Sequence, residues 1–466
     1  MAHGTHGMSV DLELLQKYDR PGPRYTSYPT APHFSGALGP DQYREEIVAS
    51  NRGGDLPGLS LYFHFPFCQS LCYFCGCNMT ITHDRNQISD YLSHLRKEID
   101  LVAGLMGADR RVVQMHWGGG TPTFLTPVQI QETVAHIRKR FHFAGDAEVS
   151  IEIDPRRLED DHLPVIREVG FNRVSYGVQD FDDKVQETIN RIQPEALTRA
   201  VVEKSRELEF DSVNVDLIYG LPYQTLRSYE STVDKIVDIS PDRLAVFNYA
   251  HVPWLKKHQR VFAERSLPDA SDRLRILKMV IDRLTGAGYV YIGMDHFAKP
   301  GDELSAALED HSLHRNFQGY STHAELEIYA MGVSSISQLR NVYAQNRKTI
   351  KEYKTEISNG NLPIFAGCRL DDDDQLRRYV ITELMCNSRV VKSHVEGRYG
   401  VDFDDYFADS LARLDKFVDD GLVSRLPDRL QVHENGRLVI RNIAMEFDRY
   451  LQEGSDGGQQ IYSRTV

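Results

Sequence analysis

The chain has 466 residues, with 54 Lys or Arg against 67 Asp or Glu, so its formal net charge at pH 7 is −13. Hydrophobic residues make up 41% and charged residues 26%, a globular composition that excludes a disordered or collagen-like chain. The acidic balance argues against non-specific binding to nucleic acid or to anionic membranes. No apolar run is long enough to cross a bilayer, and residues 1–10 lack the pattern of a signal peptide. We therefore expect a cytoplasmic protein with no nucleic-acid partner and no membrane span.

Six stretches between residues 61 and 250 alternate polar and apolar side chains over the length of a β-strand. In the clearest of them, Glu148, Ser150, Glu152 and Asp154 share one face. Four helix-like stretches lie between the strand-like ones. The predicted strands are 61–65, 113–118, 148–154, 172–179, 211–217 and 244–250, and the predicted helices are 87–102, 127–141, 194–208 and 228–239.

The order strand, helix, strand, helix predicts a parallel α/β fold. Strands of an open α/β sheet are usually apolar on both faces, whereas most of these strands have one polar face. The polar faces are better explained by the polar interior of a partial (β/α)6 barrel that surrounds a large ligand site. In such barrels the chemistry lies at the carboxyl ends of the strands. We divide the chain into an N-terminal arm or lid (1–50), a catalytic barrel (51–300), a barrel extension and connecting segment (301–369) and a mainly helical C-terminal domain (370–466). Asp371–Asp374 are interpreted as an acidic helix start.

Four of the six cysteines lie within ten residues. They are Cys68, Cys72, Cys75 and Cys77. The first three have the spacing C-x3-C-x2-C, without the two separated pairs of a structural zinc site or the fourth Cys-Pro of an ordinary ferredoxin. A four-iron cluster held by three thiolates would leave one iron open to a ligand. The distant Cys368 and Cys386 are interpreted as small, buried, apolar side chains.

A Gly-rich segment, Gly118–Gly120, ends the second predicted strand, where the absence of side chains allows a ligand to approach the backbone. The cysteine spacing on the first strand, followed by this segment, resembles the radical S-adenosylmethionine (SAM) superfamily. Cys77 and the segments 23–30, 293–297 and 314–320 narrow the resemblance to the oxygen-independent coproporphyrinogen III oxidase family. The resemblance extends from about Leu14 to the C-terminus.

The resemblance implies a [4Fe-4S] cluster bound by Cys68, Cys72 and Cys75, together with two SAM molecules. In that family Cys77 is not a ligand, and we expect Tyr62, His64 and Cys77 to be catalytic. By residue-wise transfer, the first SAM contacts Tyr62, Gly119, Glu152 and Ile336. The second contacts Phe74, Gly120, Thr121, Gln179, Arg191, Asp216 and Ala250.

The implied reaction is the anaerobic oxidative decarboxylation of two propionates of coproporphyrinogen III to vinyl groups, by a 5′-deoxyadenosyl radical, giving protoporphyrinogen IX for heme synthesis. It needs an external one-electron donor and an electron acceptor, and the family suggests a monomer. Because this substrate carries four carboxylates while the chain is acidic, we expect a local cationic patch, with Arg24 and Arg315 as candidates.

Two alternatives remain at this point. A radical-SAM-type heme chaperone would keep the cluster, but Cys77 and the segments 23–30 and 314–320 argue against it. A purely structural iron–sulfur or zinc protein would not cleave SAM. The polar groups Glu152 and Asp216 could also simply satisfy barrel neighbours, and His64 and His296 could be interior histidines.

Overall fold

The computed structural model describes residues 10–52, 56–107, 110–263, 266–453 and 462–465. The strands are β1 (Leu59–Phe65), β2 (Phe67–Cys68), β3 (Thr80–Ile81), β4 (Arg111–Gly119), β5 (His142–Ile153), β6 (Arg173–Gln179), β7 (Ser212–Tyr219), β8 (Arg243–Asn248), β9 (Val290–Gly293), β10 (His296–Ala298), β11 (His314–Asn316), β12 (Gly319–Ser321), β13 (Glu327–Met331), β14 (Ile336–Gln338), β15 (Val342–Asn346), β16 (Ile364–Arg369), β17 (Arg389–Val391), β18 (Val423–Arg425) and β19 (Arg429–Val432). The helices are α1 (Leu12–Tyr18), α2 (Pro40–Ser50), α3 (Arg85–Ala103), α4 (Pro127–Arg140), α5 (His162–Glu168), α6 (Asp183–Thr188), α7 (Glu195–Glu207), α8 (Leu226–Ile239), α9 (Ala270–Gly286), α10 (Glu303–Glu309), α11 (Ile350–Ser358), α12 (Asp372–Asn387), α13 (Lys392–Tyr399), α14 (Phe403–Tyr406), α15 (Ala408–Arg413), α16 (Asp415–Asp419), α17 (Ile440–Ala444) and α18 (Arg449–Glu453).

The chain divides into two compact units. The cysteine unit comprises His33–Leu217 and Glu325–Arg369, and the terminal unit comprises Met1–Pro32, Ile218–Ala324 and Leu370–Val466. In the cysteine unit, six parallel strands run in the order β13, β1, β4, β5, β6, β7. Strands β14, β15 and β16 extend this sheet antiparallel beyond β13. The predicted α/β class with a parallel sheet is confirmed.

The polar and apolar faces predicted for the strands are present in the structure. Along β5, Val149, Ile151 and Ile153 are buried, while Ser150 and Glu152 between them are half-buried. One face of β5 therefore packs into an apolar layer, and its other face carries polar groups that reach the candidate site. In the apolar layer, Trp117 packs on the rings of Phe65, Phe63 and Phe171, with centroids 4.5, 6.3 and 5.2 Å away.

Strict alternation over the predicted strand 113–118 places Val113 on the apolar face with Met115 and Trp117, and this placement is wrong. The pairing with β1 passes from Leu59–Val112 to Ser60–Gln114, so Val113 is an extra residue in the ladder. Such a bulge moves side chains between faces. As a result Val112 is fully buried and Val113 is only half-buried.

All four predicted helices exist, as α3, α4, α7 and α8, with ends within two residues of the prediction. Five predicted strands belong to the cysteine unit, and the sixth, β8, belongs to the terminal unit, where it pairs antiparallel with β10. The prediction missed β13–β16. The four-part division of the chain stays a prediction.

The terminal unit is mainly helical in its C-terminal part, as predicted, with one small sheet in the order β17, β19, β18. The interpretation of Asp371–Asp374 is confirmed. Asp371 caps α12 by accepting a hydrogen bond from the amide of Asp374, and Arg449 forms ion pairs with three of these carboxylates. Cys386 is buried as expected, whereas Cys368 is only partly buried. Within the described residues, no helix combines the length and the apolar character that a membrane span requires.

A buried arginine fastens two distant parts of the terminal unit to each other. The Arg441 guanidinium, 6% exposed, donates hydrogen bonds to backbone carbonyls at residues 22, 23, 464 and 465. The same two segments pair directly, since the amide of Gly22 donates to Ser463 O (3.0 Å) and that of Thr465 to Arg20 O (2.8 Å). The segment that ends at Arg24 is therefore held by the last described residues of the chain.

A buried carboxylate joins α3 to the segments around β14 and β15 in the cysteine unit. Glu98 accepts hydrogen bonds from the amide of Gly332 (2.7 Å), Tyr353 Oη (2.6 Å) and Asn346 Nδ2 (2.7 Å). Burial raises the pKa of Glu98 to about 7, although these three hydrogen bonds lower it.

This pKa predicts a pH dependence of stability. Because the pKa of Glu98 is higher in the folded than in the unfolded state, its contribution to stability is complete below about pH 4.5 and is lost as the pH rises through about 7. We expect the difference in unfolding free energy between the parent protein and Glu98→Gln to fall by roughly 3 kcal/mol across that window. Urea unfolding at several pH values measures it, with the exposed Glu45→Gln as control. A difference that does not change with pH would contradict this expectation.

Candidate active site

The four clustered cysteines lie on the loop that follows β1. Cys68 is on β2, which pairs in parallel with β3. Cys72 is buried, Cys68 and Cys75 are half-buried, and Cys77 is exposed. The loop is tied to the sheet through the hydrogen bond from the amide of Thr121 to Phe67 O (2.9 Å), and Thr121 Oγ1 lies 3.4 Å from Cys68 Sγ. The sequence therefore presents three thiols at the carboxyl edge of the parallel strands.

Within the described ranges, three metal-ligand side chains whose donor atoms all lie within 4.8 Å of one another occur at Glu159, Asp161 and His162. In the compact group, His162 uses both ring nitrogens, on the amide of Glu159 and on Leu125 O.

Two arginines lie against the thiol of Cys72. Arg156 Nη2 is 3.5 Å and Arg191 Nη1 is 3.7 Å from its Sγ. Asp154 binds both, at 2.6 Å from Arg156 Nη2 and 3.4 Å from Arg191 Nη1. Burial opposes ionisation of Asp154, but the Arg191 and Arg156 charges lower its pKa to about 2. Two guanidinium groups and one carboxylate thus surround the Cys72 thiol.

Tyr62 and His64 project from β1 and hold each other in place. His64 Nε2 lies 2.9 Å from Asn78 O, and because a carbonyl can only accept, Nε2 carries the proton. His64 Nδ1 therefore accepts from the Tyr62 hydroxyl at 3.1 Å. Burial lowers the pKa of His64, which favours the neutral ring. In this geometry His64 orients Tyr62 and the end of the cysteine loop.

The glycines of β4 permit close packing of the protein against itself. Gly119 has φ +118°, and a Cβ there would lie 2.7 Å from the His64 ring. A Cβ at Gly120 would lie 2.7 Å from the carbonyl of Pro66. The sequence predicts that these glycines allow a ligand to approach; in the structure, packing against the loop after β1 already requires them.

Glu152, at the end of β5, is held beside these glycines. The Gly119 amide donates to its Oε2 at 3.1 Å, and His116 Nε2 lies 3.4 Å from its Oε1. Its surroundings partly remove it from water, which raises its pKa, but the bond from His116 and that from Gly119 bring the pKa below its usual range. His116 is itself held by Ser150 Oγ at 2.6 Å. Glu152 is thus an ionised carboxylate with 45% of its side chain exposed, suited to a cationic or hydroxyl-bearing ligand.

The negative charge of Glu152 affects the pKa of Asp216, which lies on β7. Burial and then the Glu152 charge raise the pKa of Asp216 to about 6, although Asn214 and Ser175 donate hydrogen bonds to it. Gln179 ends β6 with φ +72°, a left-handed conformation that costs about 1–3 kcal/mol for residues other than glycine. Both side chains therefore lie at the carboxyl ends of neighbouring strands.

The other predicted SAM contacts are distributed as follows. Phe74 is half-buried in the cysteine loop, and Ile336 opens β14, which is joined to β1 through β13. Ala250 is exposed and belongs to the terminal unit, where its carbonyl accepts from Gln259 Nε2 at 3.3 Å. Arg191 has a buried Nε with no hydrogen-bond partner among the described residues. All these site assignments stay predictions.

The terminal unit contains a cationic group around Arg24 and Arg315. Arg24 pairs with Asp295 and lies over the Phe247 ring, and Arg315 lies over the Tyr320 ring at 5.0 Å. Burial, then Arg441 and Arg315, lower the pKa of Arg24 to about 9, so these cations are close enough to repel one another.

Several polar atoms of this cationic group are buried and unpaired. They are Arg315 Nε, Arg315 Nη1 and His296 Nδ1, which have no partner in the described part of the chain. Burial together with the Arg315 and Arg24 charges lowers the pKa of His296 to about 3, so its ring is neutral at pH 7. A buried polar group without a partner costs about 1–3 kcal/mol. An anionic ligand that accepts from Arg315 would remove that cost.

Sequence reasoning missed several of these residues. Arg156 follows Asp154 by two positions at a strand end, and this spacing was a usable signal. His116 and Ser150 were visible only as members of polar strand faces. Asp295 lies in the segment 293–297 that contributed to the resemblance, but its pairing with Arg24, 271 residues away in sequence, was not predicted.

Comparison with known proteins adds to this geometry. The model of the Radical SAM superfamily matches residues 62–236, and that of the HemN C-terminal domain matches residues 370–439. The chain is 47% identical over 463 residues to an oxygen-independent coproporphyrinogen III oxidase from Synechocystis sp. and 45% identical over 456 residues to that of Escherichia coli, covering 98% of both chains in each case. The fold is similar to the solved structure of coproporphyrinogen III oxidase (HemN) from Escherichia coli, described as a Radical SAM enzyme. The TM-score is 0.90 at 45% identity, covering 96% of this chain and 100% of that chain.

Proposed function

Since the chain belongs to the family of oxygen-independent coproporphyrinogen III oxidases, we propose that it converts coproporphyrinogen III to protoporphyrinogen IX by oxidative decarboxylation of two propionates to vinyl groups. Each conversion removes one hydrogen atom, one CO2 and one electron from the side chain. The observation that carries this proposal is the thiol loop at the edge of the parallel strands, with three half-buried or buried cysteines in the spacing C-x3-C-x2-C.

Radical SAM proteins use a [4Fe-4S] cluster and SAM, which together supply the 5′-deoxyadenosyl radical that abstracts the hydrogen atom. Cys68, Cys72 and Cys75 would hold the cluster, and the cations at Cys72 fit a thiolate ligand. Glu152 would bind the SAM amine or a ribose hydroxyl. Asp216, Gln179 and Arg191 would position a second SAM, and the unpaired Arg191 Nε supports a role in binding its carboxylate.

Arg24 and Arg315 would bind substrate carboxylates. Their planar guanidinium groups can each donate two parallel hydrogen bonds to one carboxylate. Arg24 already forms an ion pair with Asp295, so a substrate carboxylate would compete with the Asp295 carboxylate for it. Arg315, in contrast, has two N–H groups without a hydrogen-bond partner among the described residues, and these could donate to the substrate. We further propose that the protein acts as a monomer with an external one-electron donor and a separate electron acceptor. We place it in the cytoplasm, where its thiols stay reduced.

Anaerobic turnover of coproporphyrinogen III by the parent protein and by Cys77→Ser tests the function. We expect the parent to release CO2, form the divinyl product and cleave SAM to 5′-deoxyadenosine. Cys77→Ser should keep its iron, because Cys77 is not a ligand, and lose product formation by roughly 100-fold, as for loss of a proton-transferring group.

Cys368→Ser, at a partly buried thiol outside the cysteine loop, is the control and should behave as the parent. A stoichiometric heme complex with no vinyl product would instead indicate a chaperone. Absence of SAM cleavage would indicate a structural metal protein.

A further inference from the structure

A groove opens beside the cysteine loop in the cysteine unit, with a volume of about 810 Å³. Its lining includes Phe67, Asn78 and Thr80 on one side and Lys348, Lys351 and Lys354 on the other. We call it the lysine groove. Phe67 and Thr80 pair across β2 and β3, and Phe67 directly precedes Cys68. The groove therefore contacts the backbone that carries the first predicted cluster ligand.

The end of the cysteine loop also reaches the lysine groove. Asn78 directly follows Cys77, its carbonyl holds His64, and its side chain donates to Lys348 O at 2.9 Å. Gly76 and Cys77 are exposed just before it. Asn78 therefore connects the groove with both the cysteine loop and β1.

The lysine groove is positive although the whole chain carries −13. Three lysines and a single carboxylate, Asp90, line it. Lys354 pairs with Asp90, whereas Lys348 and Lys351 are exposed and have no ion-pair partner in the part of the chain that the structure describes. An acidic partner would be attracted to this groove although the net charge of the whole chain is negative.

Local helix stability does not account for these lysines. Lys348 precedes the cap of α11 and Lys351 lies in its first turn, where the helix dipole disfavours cations. Glu352, the acidic residue of that turn, bonds to the capping Thr349 hydroxyl at 2.7 Å. Both lysines line the groove, and the ammonium of Lys348 also lies 4.9 Å from the centroid of the Phe365 ring.

We propose that the lysine groove is the docking site of the electron donor, and that this donor is an acidic one-electron carrier protein. The proposal rests on the proposed function, because the decarboxylation requires one reducing electron for each SAM cleaved. The carrier is oxidised by one electron, the cluster site is reduced by one, and no atom crosses the interface. Its anionic surface would meet Lys348 and Lys351 while its redox group approaches the β2–β3 pair.

Charge reversal at the two unpaired lysines tests the proposal with flavodoxin, an acidic FMN protein, as the probe. The variant is Lys348→Glu/Lys351→Glu, and the matched control is Lys139→Glu/Lys184→Glu, at two exposed lysines on α4 and α6. Flavodoxin binding to the full-length protein is measured by titration at low and high salt. Turnover is measured with reduced flavodoxin and, separately, with dithionite.

We expect the groove variant to bind flavodoxin about tenfold more weakly at low salt and to lose flavodoxin-driven turnover in proportion. Its dithionite-driven turnover should match that of the parent, and the control variant should match in every assay. Parent affinity should fall as salt rises. Equal binding by parent and groove variant, equal weakening in the control, or binding that ignores salt would each overturn the docking proposal. Failure of the parent to form vinyl product with dithionite would overturn the proposed function instead, and the binding titration would still decide the docking site.

Discussion

Replacing Cys72 by serine is expected to abolish both cluster binding and vinyl formation. Cys72 is the buried member of the predicted ligand set, and its Sγ contacts Arg156 and Arg191. A hydroxyl at this position cannot supply the thiolate that iron–sulfur clusters use. The same loss is expected for Cys68→Ser and Cys75→Ser. Iron and sulfide content after anaerobic reconstitution, measured with product formation, checks the prediction.

Two further cysteine variants serve as controls for this prediction. Cys368→Ser should retain iron and activity, and Cys77→Ser should retain iron alone. Thermal unfolding of the cluster-free proteins shows whether Cys72→Ser still folds. A folded Cys72→Ser protein with a full complement of iron would remove Cys72 from the ligand set.

Removing the guanidinium groups of Arg24 and Arg315 is expected to weaken substrate binding strongly. A hydrogen bond to a charged group contributes about 1.5–3 kcal/mol, so each alanine variant should raise the KM for coproporphyrinogen III by roughly 10- to 100-fold. Arg24→Lys and Arg315→Lys should be intermediate, because they keep the charge and lose the two-pronged geometry. Steady-state kinetics under anaerobic conditions measure these values.

The expected selectivity of the arginine variants makes this prediction specific. SAM cleavage in the absence of substrate should be unchanged, since neither arginine is among the predicted cluster or SAM contacts. The exposed Arg283→Ala, on α9, serves as the control. If Arg24→Ala and Arg315→Ala both bound substrate as the parent does, the cationic group would have another role.

Local sequence patterns were sufficient to predict the strands and helices around the cysteine loop. Alternation located β4 to β8 because one face of each strand packs on an apolar layer and the other is polar. It failed at Val113, where a bulge adds a residue that periodicity cannot anticipate. It also missed β13–β16; β13, for example, is buried along its whole length and therefore shows no alternation of polar and apolar side chains.

The part of the candidate site that depends on the spacing of residues along the sequence was predictable. The part that depends on tertiary contacts between distant residues was not. The cysteine spacing pointed to the cluster directly. By contrast, the Arg24–Asp295 pair and the ring of Phe247 beneath Arg24 come from three separated segments. Donors without a partner, such as Nε and Nη1 of Arg315, have no sequence signature, because they are recognised only by the lack of a hydrogen-bond acceptor near them among the described residues.

The Arg441 contacts have a consequence for how the protein matures on the ribosome. The backbone next to Arg24 is fixed by carbonyl and amide groups at residues 463–465, which are translated about 440 residues later. At 5–20 residues per second, that delay is roughly 20–90 seconds. The nascent chain can therefore assemble the cysteine unit while the proposed substrate anchor still lacks its support, and that anchor is completed only after residues 463–465 have been translated.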